Sequence, residues 1–399
     1  FRRKSDRSGR PVITVIHPDA PYKVYSNEEW WSDSWEPREY GRNVDFQRPF
    51  FAQFDDLMKA VPQPAITNSR NENSDYATYS EQDRNCYLVF ASNRNEDCYY
   101  SGYIWDSRNC TDCLGVEQGE FLYMCVDCSR CSRMTYCQDC HDSYELQHCL
   151  DCRQCHDLFA CAGLRNKSFF ILNRQYNEAE YRALLGNPDE RRAILQKFDA
   201  LKTATPRLYA HLLHCENVSG DYLESCSRAE ECFNAFDLQD AKFTENSPGE
   251  SRDVYDVSGC THTELGCEIV SVAYGYKVVS CVLSHNGLKN SLYCVSCPSG
   301  QDLFGCVSLR NARHCVLNKQ YSEEEYSVLV PKIIDHMRAT GEWGEFFPVN
   351  ISPFAYNETV AQEFFPLSKQ EILHRRWPWR EEQNEQQRKT KIIPAVSLP

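Results

Sequence analysis

The chain has 399 residues, 42% of them hydrophobic, which is enough for more than one core and too apolar for a disordered tail. Its 43 Lys and Arg against 57 Asp and Glu leave a net charge of −14, which disfavours non-specific binding to nucleic acid or to an acidic membrane face. No apolar run reaches the length of a membrane span, and Phe1 opens the chain without a basic-then-apolar leader, so the expectation is a soluble, processed, cytoplasmic chain.

Residues 1–66 read as a small mixed unit rich in aromatics, from the basic FRRKSDRSGR through WWSDSWEPREYGRNVDFQRPFFAQFDDLMKAVP. Ten basic-leaning residues set against an acidic chain make nucleic-acid binding a poor expectation.

Residues 67–176 carry a repeat. Among the 23 cysteines, the thirteen from Cys86 to Cys161 are all separated by multiples of three, and Cys113, Cys125, Cys137, Cys149 and Cys161 are each twelve apart. Every third residue from Cys86 to Leu164 is uncharged, while the other two phases hold Tyr, Asp, Arg, Glu, Gln and His. A helix would repeat its apolar face at 3.6 and a simple strand at 2, so neither accounts for a period of three. Twelve residues at about 3.3 Å each close a perimeter near 40 Å, whose interior is too thin for anything but small side chains. The spacing therefore predicts a β-solenoid arm. Its geometry is similar to that of the beetle antifreeze solenoid, although the outward Thr-x-Thr ranks of that family are replaced here by Tyr87, Tyr99, Thr111, Tyr123, Thr135 and Gln147.

Residues 177–212 follow as a helical linker and cap, opened by Asn177 and Glu180 at capping-box spacing. Residues 213–321 repeat the arm. The segment beginning CLDCRQCHDLFACAGLRN returns 145 residues later as CVSCPSGQDLFGCVSLRN, and SDYATYSEQDRNC returns 146 later as GDYLESCSRAEEC. Register loosens between Lys242 and Cys281, around ENSPGESRD. Residues 322–399 give a second cap, with Ser322 and Glu325 at the same capping spacing, then an aromatic, extended tail containing the short helix SKQEILHRRW. The predicted class is mainly β: two duplicated β-solenoid arms with coils of about twelve residues, each capped by α-helices, plus the amino-terminal unit.

Several pieces together, PYKVY…WWSDSW…YGR, the two LRN…LN-K/R-QY segments and EEEYSVLVPKIIDHMRATGEWGEFFP with SPFAYNETVAQEFFPL, resemble an uncharacterised family of cysteine-rich repeat proteins from uncultivated, small-genome bacteria. The resemblance covers nearly the whole chain and implies this architecture, with no known activity. It also implies an amino-terminal zinc ribbon of two Cys-x-x-Cys knuckles. The matching positions here are Ser5, Ser8, Ser26 and Glu29, a degenerate ribbon without thiolate ligands.

Four chemistries compete for the cysteines. CQDCH and CRQCH match the c-type haem attachment motif, but the twelve-residue spacing already explains those thiols and a haem could not enter so thin an interior. Zinc could take Cys125, Cys128, Cys137 and Cys140, two Cys-x-x-Cys pairs in successive repeats. Residues six apart face each other across a narrow coil, which nominates the disulfides Cys125–Cys131 and Cys149–Cys155. The default is that most are buried free thiols packing as small hydrophobes. The outer column Asp127, Asp139 and Asp151 reads as a turn column that could hold a cation. No phosphate-binding glycine motif, nucleophile elbow or His-Glu-x-x-His is present, so the expectation is a non-enzymatic structural or protein-binding scaffold without a resident cofactor. Tyr87, Tyr99, Tyr100, Tyr103, Trp105 and Tyr123 are its candidate partner-binding residues, toward a protein partner or a second copy. A zinc or redox protein is the alternative.

Overall fold

In the computed structural model, which describes residues 1–261, 263–284 and 287–381, the chain is mainly β and divides into two units. Unit 1 holds residues 1–15, 23–36 and 62–254, and unit 2 holds residues 16–22, 37–61 and 255 onward. The predicted tail beyond residue 381 lies outside the described residues.

Unit 1 opens with a hairpin of β1 (Arg2–Lys4) and β2 (Pro11–Ile13). Next come β3 (Val24–Tyr25) and a short helix, Asn27–Trp31. β3 pairs in parallel with β4 (Gln63–Pro64). A ten-stranded sheet follows in chain order: β5 (Asn68–Ser69), β6 (Thr78–Glu81), β7 (Phe90–Asn93), β8 (Gly102–Trp105), β9 (Leu114–Tyr123), β10 (Val126–Thr135), β11 (Tyr144–Gln147), β12 (His156–Phe159), β13 (Ser168–Ile171) and β14 (Arg174–Gln175). From β5 to β13 every neighbouring pair is parallel and offset by twelve residues, as in Asn68↔Ser80 and His156↔Ser168. Each strand thus finds its hydrogen-bond partners in the next.

The period of three has a backbone cause. The residue before each inward position lies in the left-handed region: Met124, Asp127, Arg130, Arg133, Tyr136 and Asp139 have φ between 50° and 56°. That conformation bends the chain between short extended pieces, and side-chain branching at Cβ makes it costly. Among the described non-glycine residues with positive φ, none is Val, Ile or Thr, while Asn and Asp recur. Those two tolerate it through local hydrogen bonding.

The third phase is the core. Every third residue from Cys86 to Cys161 is buried, and Leu164 is half-buried. Cys, Val, Ile, Leu and Met form one continuous cluster there. The inward phase also runs one step further back, to Asp83, which is 1% exposed. Its carboxylate accepts from Asn95 N and Nδ2 and from Ser92 Oγ, at 2.9, 3.0 and 2.5 Å. Those three bonds compensate a burial that pushes its pKa up.

β13 and β14 form an antiparallel hairpin through Leu172 and Asn173, both with positive φ, the form of a two-residue primed turn. Helices Glu178–Gly186 and Pro188–Ala204 follow; the first has the Asn177–Glu180 capping box and the second is capped by Asn187. Tyr181, Ile194 and Phe198 pack with Phe159 and Ile171, covering the last strands. The duplicate begins with β15 (Leu212–Leu213), β16 (Glu216–Glu224) and β17 (Ser227–Thr261), inside which the division between units falls. Here the offset is eleven at Glu216↔Ser227 and twelve at Gly220↔Cys232. The slip needs Gly220: its φ is 136°, and an added Cβ would lie 1.7 Å from the Cys232 carbonyl oxygen.

Unit 2 continues with β18 (Glu264–Ala273), β19 (Tyr276–Ser284), β20 (Lys289–Leu292), β21 (Gln301–Phe304), β22 (Arg313–Val316) and β23 (Lys319–Gln320). The offset is twelve except at Tyr276↔Lys289, where it is thirteen. Helix Phe50–Ala60 lays Phe50 against Phe304 and Tyr293, and Phe54 stacks on Phe347 at 4.9 Å. Glu342 caps that helix, accepting from Phe50 N and Phe51 N at 2.8 and 2.7 Å. Helix Glu323–Thr340 has the Ser322–Glu325 capping box and ends at Gly341 with φ 75°. Among the described residues no helix is long and apolar enough to cross a membrane.

Candidate functional site

The offset of twelve stacks like positions of successive repeats, so outward aromatics gather into ranks on unit 1. Tyr87 pairs in register with Tyr99, Tyr99 with Thr111, and Thr111 with Tyr123. Tyr87, Tyr99, Tyr100 and Tyr123 are between 37% and 55% exposed. Adjoining them are exposed Leu88, Leu114, Phe121, Met124 and Tyr136. The rings hold one another: Tyr87 meets Tyr100 edge-on at 5.7 Å, Tyr123 meets Tyr136 at 5.5 Å, and Tyr136 stacks on His148 at 4.7 Å. Pairs of this kind each contribute about 0.5–1.5 kcal/mol, so this is an ordered surface of fixed rings. Tyr103 and Trp105 differ from the other candidates. They are half-buried, and the Tyr103 hydroxyl accepts from Asn246 Nδ2 at 3.4 Å.

Beside Tyr103 in the same outer column run Gly115, Asp127, Asp139 and Asp151, and here the structure builds a cluster. Tyr222 of β16 donates its hydroxyl to Asp139 Oδ1 across 83 residues of sequence. Asp139 is 5% exposed. His211 stacks on Tyr222 at 4.4 Å, while Asp221 accepts from His211 N at 2.5 Å and lies 3.0 Å from His211 Nδ1. Asp127 leans over Gly115, where an added Cβ would come within 2.4 Å of its Oδ1. Burial, then the neighbouring negative charge of Asp139, pushes the Asp127 carboxyl up to about 6, against a smaller opposing effect of the Tyr222 hydroxyl. Burial also raises Tyr222, with Asp139 adding to it. For Asp221 burial acts upward, but bonds from the His211 and Tyr222 backbone amides outweigh it and hold the carboxyl low. The arrangement can keep a proton on the Asp127 carboxyl up to about pH 6. Asp151 stands apart, paired with Arg165 at 2.7 Å. Sequence reading found the aspartate column but missed Tyr222, His211 and Asp221, whose relation to it exists only through space.

The 22 cysteines whose side chains are described form no disulfide with one another; twenty are buried, and Cys215 and Cys267 are half-buried. Cys125, Cys128, Cys137 and Cys140 sit in the buried cluster, and many interior thiols donate to the carbonyl two residues back, as Cys137 does to Thr135 at 3.4 Å. Among the described residues no three His, Cys, Asp or Glu side chains are grouped to hold a metal ion. At the nominated disulfide positions, Cys125, Cys131, Cys149 and Cys155 are unbonded in the structure. Burial pushes Cys131 up to about 12, which keeps it out of the reactive thiolate form.

Two other motifs resolve into structural roles. In the duplicated LRN…LN segments, Asn173 brackets Ala162, accepting from its N at 2.9 Å and donating to its O at 2.7 Å. Asn318 does the same to Val307, at 2.8 Å for both bonds. These asparagines pin the final hairpin to the segment that follows the strand before it. In the degenerate ribbon, Ser5, Ser8, Ser26 and Glu29 converge. Glu29 Oε2 accepts from Ser5 Oγ and, at 3.0 Å, from Ser26 N. Burial works to raise the Glu29 carboxyl, yet the bonds from Ser5, Ser8 and Ser26 prevail and bring it down to about 2. A carboxylate with hydroxyl donors thus ties together positions where the family resemblance implies thiolates.

No protein-family model matches the chain, and no curated protein matches it. Among solved structures, a "putative acetyltransferase" from Desulfovibrio desulfuricans G20 is similar over 59% of this chain and 66% of that one, just under two thirds of its length, with 11% identity and a TM-score of 0.13.

Proposed function

We propose that the chain is a non-enzymatic binding or assembly scaffold, whose repeats wind as two β-solenoid arms and present ranks of aromatic side chains to another protein or to a second copy. The winding is supported by the constant offset of twelve from β5 to β13, the left-handed residue before each inward position and the buried, uncharged inward phase from Cys86 to Cys161. The observation that carries the function is the exposed file Tyr87, Tyr99, Tyr123 with its neighbours Tyr100, Phe121, Met124 and Tyr136 on unit 1. An apolar patch of this breadth, fixed ring against ring, is what a partner surface covers.

The test uses the full chain and a triple variant, Tyr87→Ser with Tyr99→Ser and Tyr123→Ser. Sedimentation velocity reads self-association, and cross-linking in a lysate of the source cells reads hetero-association. The wild type should associate by one route and the variant, with unchanged circular dichroism and melting, should lose it. A wild type that sediments as a monomer and cross-links to the same proteins as the variant overturns the proposal.

The alternative, a zinc or redox protein on the inner cysteines, draws on the thirteen buried thiols that share the inward phase between Cys86 and Cys161. Elemental analysis and thiol titration of native material separate the two. Stoichiometric zinc, or oxidation of Cys125–Cys131 or Cys149–Cys155, would favour the alternative.

A further inference from the structure

In unit 1 a cavity of about 390 Å³ lies between helix Asn27–Trp31 and the residues that begin the ten-stranded sheet. Its volume matches that of small-molecule sites, about 300–1,000 Å³, but it is open to solvent and its lining is unlike that of an apolar pocket. One aromatic plane, Trp31, stands among Asn27, Glu28, Asn68, Arg70 and Asp75.

Trp31 is 50% exposed, and its indole N–H meets no acceptor among the described residues. The ring is nevertheless fixed, meeting Trp30 edge-on at 4.7 Å. Trp30 is itself 2% exposed and donates to Pro62 O at 3.2 Å. The Glu28 and Asp75 carboxylates have neither hydrogen bond nor ion pair among the described residues. Asn27 donates to Asn68 Oδ1, which orients the Asn68 amide and leaves its N–H donors to the cavity. Arg70 is held by Glu81 at 3.0 Å.

These features select a ligand chemistry. Two open carboxylates disfavour phosphates and acidic sugars, and the polar walls disfavour an apolar molecule. A neutral sugar ring answers all of them at once. Its C–H face lies on the indole, as apolar groups lie on aromatic faces. Its neighbouring hydroxyls donate to Glu28 and Asp75 and accept from Asn68. We propose that this cavity is a binding site for a neutral saccharide, with Trp31 as the stacking platform and Glu28, Asn68 and Asp75 reading the hydroxyls. It is independent of the aromatic ranks and of the scaffold reading.

The experiment is saturation-transfer NMR on the full chain with methyl glucoside, methyl galactoside, methyl mannoside and N-acetylglucosamine, each at about 10 mM, near the weak limit expected of a single ring. At least one should receive saturation. In Trp31→Ala, which leaves buried Trp30 in place, its affinity should fall about tenfold, and in Asp75→Asn about threefold, with unchanged melting curves. Asp75→Asn carries the test should Trp31→Ala fail to fold. Absence of transfer to all four sugars, or transfer undiminished in a folded variant, overturns the proposal.

Discussion

The left-handed residue in each triplet can be tested at one pair of neighbours. Glu117 and Gln118 lie side by side in β9, both exposed and neither engaged in a side-chain bond, but only Gln118 has positive φ, at 52°. Valine at position 117 enters an extended, outward site and should change stability by no more than about 0.5 kcal/mol. Valine at 118 forces a β-branched side chain into the left-handed region, at a cost of about 2 kcal/mol. Asparagine at 118 should stabilise by a few tenths to about 1 kcal/mol, because its side chain bonds locally in that conformation. Glycine should be nearly neutral, its strain relief of about 1 kcal/mol offset by the chain entropy lost on folding. Urea denaturation of the full chain, followed by far-ultraviolet circular dichroism, reads these as midpoint shifts. With a slope of about 2–3 kcal/mol/M, Gln118→Val should lower the midpoint by about 0.7–1 M, while Glu117→Val leaves it in place. Equal shifts for the two valine variants would refute the backbone argument.

Three further outcomes follow from the same geometry. The folded pKa of Asp127 lies above its unfolded value, so its ionisation opposes folding: stability falls as pH rises from about 4 to 6. Asp127→Asn should therefore gain about 1 kcal/mol at pH 7, after allowance for solvent screening, and lose that gain below pH 4; melting temperatures across pH check it, and a gain that is flat with pH would contradict it. Glu29 has the opposite sign, a folded pKa near 2 below its unfolded value, so its contribution is present above about pH 4.3 and fades as pH falls toward 2. Glu29→Gln should cost about 1 kcal/mol at pH 7 and much less at pH 3, read by denaturation at the two pH values. Mass-mapped alkylation of the native chain should modify the half-buried Cys215 and Cys267 before any of the twenty buried thiols; early loss of Cys125 or Cys137 would contradict an interior file.

Much of the β architecture is local, and local features can be read from residue order. The buried phase takes one residue in three, mostly small or aliphatic, and the left-handed position excludes β-branched residues from another third; both constraints mark the sequence at every repeat. The duplication and the capping boxes at Asn177 and Ser322 are equally local. Asp83 was illegible because a buried carboxylate looks like a surface one until Ser92 and Asn95 are seen to enclose it. The thirteen-residue offset at Tyr276 was legible only as a loosened spacing between Lys242 and Cys281, and the eleven-residue offset at Glu216 lies outside that stretch; their places depend on which backbone groups pair. Tyr103 reads like Tyr99, one triplet position away, yet it meets Asn246 while Tyr99 faces outward.

Sequence alone therefore determined what is short-ranged: the period, the inward phase, the left-handed phase and the helix caps, because each depends on residues within a few positions or one repeat of each other. Only tertiary structure decided that Tyr222 and His211 meet Asp127 and Asp139, that Ser5 and Ser8 close on Glu29, and that Trp31 fronts a polar cavity. Such contacts bring together segments far apart in the chain, and the burial and charge they create belong to the packed surfaces rather than to any one stretch of residues.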